Sequence, residues 1–459
     1  KGSSCKIERK EAEITINADD DLKLKQMHEL LQGHFARRKI DAGAIDYKTV
    51  EKAAGQAVRQ KAIIKQGIDR EIAKRIVKEV KDGKFKYDPF SEDIHTEIQN
   101  RLEKKHKGIA LKVQSFRSRN DQVVFDEKYY CIQQALEIER LLAKVFVSLF
   151  ELSSKYKDNF FVGYTHTRRA QVVKFSNYIL SFGRMLERDL KHIEHYCKDT
   201  EICLGAGALA GSFIKKEDYD RAIKEFIKKY SQDFPFKISL TKNSLDNVSS
   251  RDFIMEFLSI LAILQNHLSR MAEDFILYST KEFNYLDLPE EFCTGSSHMP
   301  HKKNPDFLEL VRGYTGRIYG NLFAVLTIMK GLPLTYNRDM QLDKEPLFSS
   351  VEIVKSELSL LARFLRGIKI NTEVVEKALE DESLYATELA EYLVGKGTPF
   401  KTAHEVIGKL IRYSEDKKIK LSDIVDGILK DFSVHLQKKE IKKIFNPSFA
   451  VQTKRSVQG

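Results

Sequence analysis

The sequence predicts an all-α protein built on a bundle of long helices, and three observations support this prediction. Proline, which interrupts helix interiors, occurs only nine times in 459 residues, and none lies between Pro89 and Pro235. Apolar residues recur at spacings of three and four along long segments. Strand-like alternation and Asn-Gly turn pairs are scarce. Long apolar stripes with few strand signals are typical of an elongated helical bundle.

Two apolar series each predict a long helix with one face buried against other helices. A third long helix is predicted from Asp306 to about Lys330, where the Gly331-Leu332-Pro333 sequence stops it. The first series consists of Ala135, Ile138, Leu142, Val145, Leu149 and Leu152, and the second of Phe257, Leu261, Leu264, Leu268, Met271, Phe275 and Tyr278.

The chain is too long for one compact domain, and changes in helix length predict three. A small helical domain is predicted over residues 1–114, with short helices at 23–38, 47–66 and 69–80 and a turn at Asp82-Gly83. The long helices predict a central bundle domain over 115–369. Shorter amphipathic segments, broken between Gly395 and Pro399, predict a second small domain over 370–459.

Composition excludes several classes of protein. The net charge of +11 comes without a basic patch interleaved with aromatic residues, so nucleic-acid binding is not predicted. Five dispersed cysteines, none in a C-x-x-C pair, indicate neither a disulfide framework nor a zinc cluster. The chain has no apolar run long enough to span a membrane and no apolar stretch of the secretory type between Lys1 and Lys10. We therefore expect a cytoplasmic protein with no membrane partner.

Polar stretches that a bundle core does not need mark the candidate site. Residues 117–122, Arg-Ser-Arg-Asn-Asp-Gln, place donors at a helix start and suit carboxylate recognition, although a helix N-terminus capped by Asn120 or Asp121 would read the same way. Residues 163–171 place His166 beside two arginines, in what we expect to be a loop between long helices. A lone histidine is more often structural than catalytic.

The third stretch, residues 294–306, combines glycine, two serines and proline with two lysines and an asparagine before a helix. It predicts a mobile loop with an anion site, and its alternative is a basic surface loop. A fourth stretch, Tyr336 to Glu345, again places polar side chains after a helix breaker. Its tyrosine, amides and lysine are suited to reading several polar atoms of one ligand.

Taken together, these stretches resemble a known family. Gly295-Ser296-Ser297-x-Met299-Pro300-x-Lys302-x-Asn304 resembles the signature of the fumarase and aspartase superfamily. Further stretches resemble the argininosuccinate lyases, whose relatives include the δ-crystallins. These are Lys302 to Asp306 with Leu308-Glu309-Leu310, Lys330 to Leu334, Tyr336-Asn337, Asp343-Lys344-Glu345, Arg117 to Gln122, Gly163 to His166, Leu204 to Gly211 and Asn243 to Asp246.

The resemblance implies a three-domain fumarase/aspartase-like fold and a homotetramer with a 20-helix core, in which three subunits complete each active site. The implied reaction is a reversible anti β-elimination that splits argininosuccinate into arginine and fumarate without a metal or organic cofactor. The resemblance assigns Ser296 as the base, supported by Lys302 and Asn304, and His166 paired with Glu309 as the partner acid; the reverse assignment of base and acid stays open. The implied substrate-binding residues are Arg119, Asn120, Thr165, Asn304, Tyr336, Gln341 and Lys344.

Several positions depart from the family pattern around this otherwise intact set. They leave open a related lyase that releases fumarate from another N-succinyl adduct, or a non-catalytic protein of the crystallin type. The departures are Asp19, Gln114, Ser115, Thr167, Arg168, His298 and His301, and the chain has no tryptophan where the family usually begins with a Trp-Gly-Gly-Arg-Phe sequence.

Overall fold

The structure is a computed structural model that describes residues 78–79, 82–85, 88, 94–105, 118–230, 238–295, 299 and 301–454. The three short N-terminal helices predicted from the sequence fall almost entirely outside these residues, as do Asp19, Gln114, Ser115 and His298. The turn at Asp82-Gly83 is confirmed, and Gly83 has the positive φ of 65° that glycine adopts without steric cost.

The described chain is mostly helical, as predicted. Its helices are α1 (Ile94–Lys105), α2 (Arg119–Lys155), α3 (Phe175–Asp199), α4 (Lys216–Tyr230), α5 (Ser244–Ser249), α6 (Asp252–Ser279), α7 (Asp306–Met329), α8 (Lys344–Gly367), α9 (Thr372–Leu379), α10 (Ala386–Gly395), α11 (Phe400–Lys417), α12 (Asp426–Phe432), α13 (Lys438–Ile444) and α14 (Pro447–Gln452). Short 3-10 helices cover Glu290–Phe292, Arg338–Asp343, Glu382–Tyr385 and Leu421–Asp423.

The strands are short and form four two-stranded pairs. The antiparallel pairs are β1 (Phe160–Thr165) with β2 (Arg168–Lys174), β5 (Leu286–Asp287) with β8 (Lys369–Ile370), and β6 (Thr294–Gly295) with β7 (Lys303–Asn304). The parallel pair is β3 (Ile202–Leu204) with β4 (Ile238–Leu240).

The predicted long helices are confirmed together with their buried faces. Every residue of the two apolar series in α2 and α6 is at most 6% exposed. Burial of one such side chain contributes about 1.5–3 kcal/mol, so these faces are a major part of the core. The third long helix, α7, ends at Met329, directly before the predicted Gly331-Leu332-Pro333 stop.

The chain divides into two compact units. The first comprises residues 1–130 and 201–249, and includes α1, the start of α2, α4, α5 and the β3–β4 pair. The second comprises residues 131–200 and 250–459, and includes the rest of α2, the other long helices and the C-terminal helices. The division into domains 1–114, 115–369 and 370–459 stays a prediction.

One local prediction is wrong. The loop expected around His166 is a β-hairpin, formed by β1 and β2 between α2 and α3. The run Phe160-Phe161-Val162 pairs with Val172-Val173-Lys174, and aromatic and β-branched residues favour strands. The flanking helices hid this short strand signal, because each strand is only six or seven residues long.

No helix within the described ranges is both long enough and apolar enough to cross a membrane.

Candidate active site

The first candidate stretch begins α2, in the first unit. Ser118 precedes the helix, and its hydroxyl accepts a hydrogen bond from the Asn120 backbone N–H at 3.3 Å. Ser118 therefore caps the helix, so neither Asn120 nor Asp121 is needed for that role. The side chains of both are used elsewhere.

Arg119 is held in place by neighbours on two helices. Its guanidinium donates to the Thr96 hydroxyl of α1 at 3.0 Å and to the Gln122 side chain at 3.1 Å. The Gln122 amide lies 2.6 Å from His95 Nδ1, and His95 Nε2 lies 3.7 Å from the Asp126 carboxylate. Because several polar groups fix the planar guanidinium, Arg119 is suited to binding a carboxylate in one orientation.

Asn120 and Asp121 contact a glycine-rich loop that follows β3. Asp121 Oδ2 accepts hydrogen bonds from the backbone N–H groups of Gly205 and Gly207 at 3.1 and 3.4 Å. The Asn120 amide donates to the Ala208 carbonyl at 3.2 Å. Gly205 and Gly207 have φ values of 100° and 59°, which let the backbone turn both N–H groups toward one carboxylate. Asp121 therefore has a structural role in shaping this loop.

His166 lies at the tip of the hairpin in the second unit. His166 and Thr167 form the two-residue connection between β1 and β2, with φ values of 53° and 59°. Two positive φ angles are the type I′ pattern, which suits hairpin twist but is uncommon without glycine, above all for β-branched threonine. Within the described chain, the His166 side chain is exposed and makes no hydrogen bond or ion pair. Strained backbone is concentrated at functional sites, so the hairpin tip is a candidate functional position.

The hairpin is fixed below its tip. The Tyr164 and Tyr285 hydroxyls lie 2.9 Å apart, and Arg169 pairs with Asp381 at 3.0 Å. Burial alone would raise the pKa of Asp381, but hydrogen bonds from Ser383 and Arg169 lower it below its ordinary value. Asp381 is therefore ionised at neutral pH, and it anchors β2 beside the tip that carries His166.

The third stretch is a loop closed by the β6–β7 pair. Thr294 faces Asn304 and Gly295 faces Lys303 across this pair, so the two ends of the stretch are held side by side. The Thr294 hydroxyl donates to Asp306, at the start of α7. Lys303 pairs with Glu290 at 2.6 Å, and this contact raises the pKa of Lys303. Ser296, the candidate base, lies outside the described residues.

Lys302 and Lys303 differ in what they contact. Lys303 forms an ion pair with Glu290, whereas the exposed Lys302 ammonium makes no ion pair among the described residues. Burial raises the pKa of Asp306, the nearby Glu309 carboxylate adds to the rise, and Lys302 partly offsets it. The ammonium of Lys302 therefore stands near the α7 N-terminus, where an anionic ligand would also meet backbone N–H groups.

The fourth stretch lies between α7 and α8. Tyr336 is half-buried, Gln341 is exposed, and Lys344 begins α8. The Lys344 ammonium donates to Asp343 Oδ1 at 2.8 Å, and Asp343 Oδ2 accepts from Arg251 Nε at 2.5 Å. Neither Arg251 nor its pairing with Asp343 was predicted. The two residues are 92 positions apart, so no local sequence pattern connects them.

Comparison with known proteins identifies the family. The family described as Lyase matches residues 22–320, and the one described as Argininosuccinate lyase C-terminal matches residues 383–452. The argininosuccinate lyase of Caldanaerobacter subterraneus subsp. tengcongensis is 37% identical over 420 residues, covering 90% of this chain and 92% of that protein. The chain belongs to the argininosuccinate lyase family. The argininosuccinate lyase of Geotalea daltonii is 44% identical over 360 residues, covering 78% of this chain and 76% of that protein.

Solved structures confirm the fold of this argininosuccinate lyase family member. An EDDS lyase in complex with formate matches with a TM-score of 0.74 and 20% identity, covering 94% of this chain and 85% of that one. The class II fumarase of Schistosoma mansoni matches with a TM-score of 0.69 and 17% identity, covering 87% of this chain and 90% of that one. The predicted fumarase/aspartase-like, mostly-α fold is thereby confirmed.

The described residues bring some family positions together and leave others apart. Lys302, Asn304 and Glu309 share the base of one loop and the start of α7, whereas His166 and Glu309 make no contact with each other in the described part of the chain. No group of three metal-ligating side chains occurs among these residues. The catalytic and binding roles of the predicted site residues stay predictions.

Proposed function

We propose that this protein catalyses the reversible anti β-elimination of argininosuccinate to L-arginine and fumarate, a step of arginine biosynthesis. The observation that carries the proposal is the β6–β7 pair, which holds Asn304 at the start of α7 with the exposed Lys302 nearby. Membership in the argininosuccinate lyase family, over most of the chain, supports the choice of substrate.

The chemistry explains why such a loop needs these residues. Removal of the Cβ proton builds negative charge on the adjacent carboxylate, which an ammonium and an amide can stabilise. Lys302 and Asn304 are assigned this role, and Lys302 suits it because no carboxylate in the described chain pairs with it. Ser296 is assigned as the base, since a cationic neighbour lowers the cost of forming an alkoxide.

Arg119, Asn120 and Thr165 are assigned to the fumarate end of the substrate, and Tyr336, Gln341 and Lys344 to the remainder. Arg119 supports this assignment because Thr96 and Gln122 orient its guanidinium before any ligand binds. Preorganised donors cost less to order when the substrate arrives.

His166 is assigned as the partner acid, in a pair with Glu309. Both side chains are exposed in the single chain, and they lie at the hairpin tip and at the start of α7. We therefore place their contact between subunits of a homotetramer, in which residues from three chains complete each active site.

One face of α7 supports the assembly. Gly313, Gly316 and Gly320 lie along it, and a Cβ built on any of them would meet no atom within 4 Å. On the same face, Phe323 is 71% exposed and Tyr319 is 43% exposed. An aromatic residue left in water beside an open glycine stripe is suited to close packing with the helix of another copy.

A charge on this face tests the assembly. Phe323→Glu is expected to shift the protein from tetramer to smaller species in sedimentation analysis and to abolish activity, because a buried carboxylate would oppose contact. The control is Lys330→Glu, which introduces a carboxylate beyond the end of α7. Thr327→Glu is not used as a control, because Thr327 lies on the same face of the helix as Phe323. An unchanged tetramer in Phe323→Glu would contradict this role for α7.

Fumarate release tests the reaction itself. Purified protein mixed with argininosuccinate is expected to raise the ultraviolet absorbance of fumarate, with arginine formed in equal amount. Ser296→Ala is expected to abolish turnover while the assembly persists. Turnover of a different N-succinyl adduct, with argininosuccinate untouched, would reject this substrate and direct attention to Asp19, Gln114 and Arg168. A stable tetramer without any turnover would favour a crystallin-like role.

The compartment is proposed to be the cytoplasm. The five cysteines of the chain are dispersed, and Cys131, Cys197, Cys203 and Cys293 are free thiols in the described structure. Free, mostly buried thiols are typical of a reducing compartment.

A further inference from the structure

A buried ion pair lies directly behind Lys344. Arg251, the residue before α6, is 1% exposed, and Asp343 is fully buried. Arg251 Nε donates to Asp343 Oδ2 at 2.5 Å, and Arg251 Nη1 donates to the Ser250 carbonyl at 2.9 Å. Removing two charges from water costs several kcal/mol for each ion, so well-packed apolar residues would stabilise this position at least as well. Stability alone therefore does not account for the pair.

The second carboxylate oxygen of Asp343 accepts a hydrogen bond from Lys344, which reaches the surface. Asp343 Oδ1 accepts from the Lys344 ammonium at 2.8 Å, and the same ammonium lies 3.5 Å from the Met340 carbonyl. The Lys344 side chain is 34% exposed, so its charge reaches the surface while its position is fixed from within. A flexible four-carbon side chain that donates to a buried carboxylate loses much of its conformational freedom before a ligand binds.

The buried arginine changes how the charge of Asp343 is shared. Asp343 Oδ2 accepts from Arg251 and Oδ1 accepts from Lys344, so one negative charge faces two cations. Asp343 can therefore hold the Lys344 ammonium through a hydrogen bond while Arg251 offsets part of the carboxylate charge.

We propose that Arg251 and Asp343 are positioning residues that hold the Lys344 ammonium in place for a carboxylate of the substrate. This inference rests on the proposed function, which assigns Lys344 to substrate binding. The alternative is a purely structural ion pair that joins the start of α6 to the 3-10 helix at 338–343.

The test replaces the pair as a unit. Arg251→Met with Asp343→Leu removes both charges together, which preserves folding better than leaving one charge buried alone. With Lys344 released, the KM for argininosuccinate is expected to rise about tenfold while kcat changes less than about threefold, since ligand binding rather than chemistry is weakened. A KM equal to that of the unmodified protein, in a folded variant, would overturn the proposal.

A second measurement does not depend on activity. Acetic anhydride labels exposed amines, and mass spectrometry reads the rate at each lysine. Lys344 is expected to react about fivefold faster in the double variant, because its buried acceptor is gone. Lys355 is the control, since its pair with Glu137 at 2.8 Å is untouched and its rate should not change.

The two measurements separate the possible failures. Equal labelling of Lys344 in both proteins would show that the pair does not hold it, and would reject the proposal whatever the activity. Faster labelling with an unchanged KM would also reject it, because substrate would not use the positioned amine. If the unmodified protein released no fumarate from argininosuccinate, only the proposed function would fail, and arginine binding measured by calorimetry would replace KM, because Lys344 is assigned to the part of the substrate other than fumarate. Arg251→Lys, which keeps a positive charge, is expected to recover part of the affinity.

Discussion

Glu357 offers a sharp test of the electrostatics of the bundle core. It lies in α8, is 4% exposed, and neither carboxyl oxygen accepts a hydrogen bond from the described residues. Burial raises the pKa of Glu357 well above its ordinary value of 4.5, and the neighbouring Gln265 amide offsets only part of the rise. The Gln265 amide nitrogen itself donates to the Val311 carbonyl at 2.9 Å. The facing tyrosine of α7, Tyr314, supplies no cation that could pair with an ionised carboxylate.

The sign of the effect follows from proton binding. The folded state keeps a proton on Glu357 that the unfolded chain releases above pH 4.5, so stability falls as pH rises above that value. Each pH unit over which the folded protein keeps this proton while the unfolded chain has released it costs about 1.4 kcal/mol. Glu357→Gln removes this cost. The variant is neutral at both pH values.

Urea unfolding at both pH values, at one protein concentration, measures the effect. The free energy of unfolding of Glu357→Gln relative to the unmodified protein is expected to become more favourable as the pH rises from 4.5 to 7, with a slope of at most about 1.4 kcal/mol per pH unit. Glu352→Gln is the control on the same helix, because Glu352 is 41% exposed and should show little pH dependence. An equal difference between variant and unmodified protein at both pH values would refute the reasoning, because it would mean that Glu357 ionises in the folded protein as it does in the unfolded chain.

Two further predictions use matched pairs of variants. Lys302→Ala is expected to lower kcat by about a hundredfold or more. Lys303→Ala should change kcat less than about threefold, because Lys303 pairs with Glu290. Equal losses of kcat in steady-state assays would contradict different roles for the two lysines. Gly163→Ala is expected to destabilise the protein by about 1–3 kcal/mol and to lower kcat, since its Cβ would lie 2.9 Å from the Gln171 carbonyl oxygen in the hairpin that carries His166. Gly183→Ala, within α3, is the control, because its Cβ would come no closer than 3.5 Å to Phe146. This variant should be as stable as the unmodified protein or more stable by about 1 kcal/mol. Equal melting temperatures of Gly163→Ala and Gly183→Ala in thermal unfolding would contradict the hairpin geometry.

The long helices could be predicted from the sequence because each apolar series reports directly on one buried face. The helix ends could also be predicted where glycine or proline marks them. Gly367, where α8 ends, and Gly395, where α10 ends, are examples. The hairpin at 160–174 was missed because two short strands between long helices carry too few residues for a clear alternation.

Only part of the candidate site could be predicted from the sequence. The polar stretches stood out because a bundle core has no use for them, and the family resemblance gave them roles. Arg251 could not be found in this way, since its partner Asp343 is 92 residues away along the chain. Tertiary pairs of this kind depend on packing that no local pattern reports. The same holds for Thr96, which supports Arg119 from a different helix.

The exposure of the proposed catalytic groups adds a final constraint. His166, Lys302 and Glu309 are all exposed in the single chain, where water weakens the interaction between an ammonium and a developing carboxylate charge. Electrostatic stabilisation of a carbanion requires donors fixed in a site from which water is largely excluded. The described part of one chain fixes some donors, such as Arg119 and Lys344, but leaves the reacting groups in water. The proposed assembly would therefore serve the proposed reaction directly, because burial of the α7 face from Glu309 to Phe323 would supply the dry surroundings that the chemistry needs.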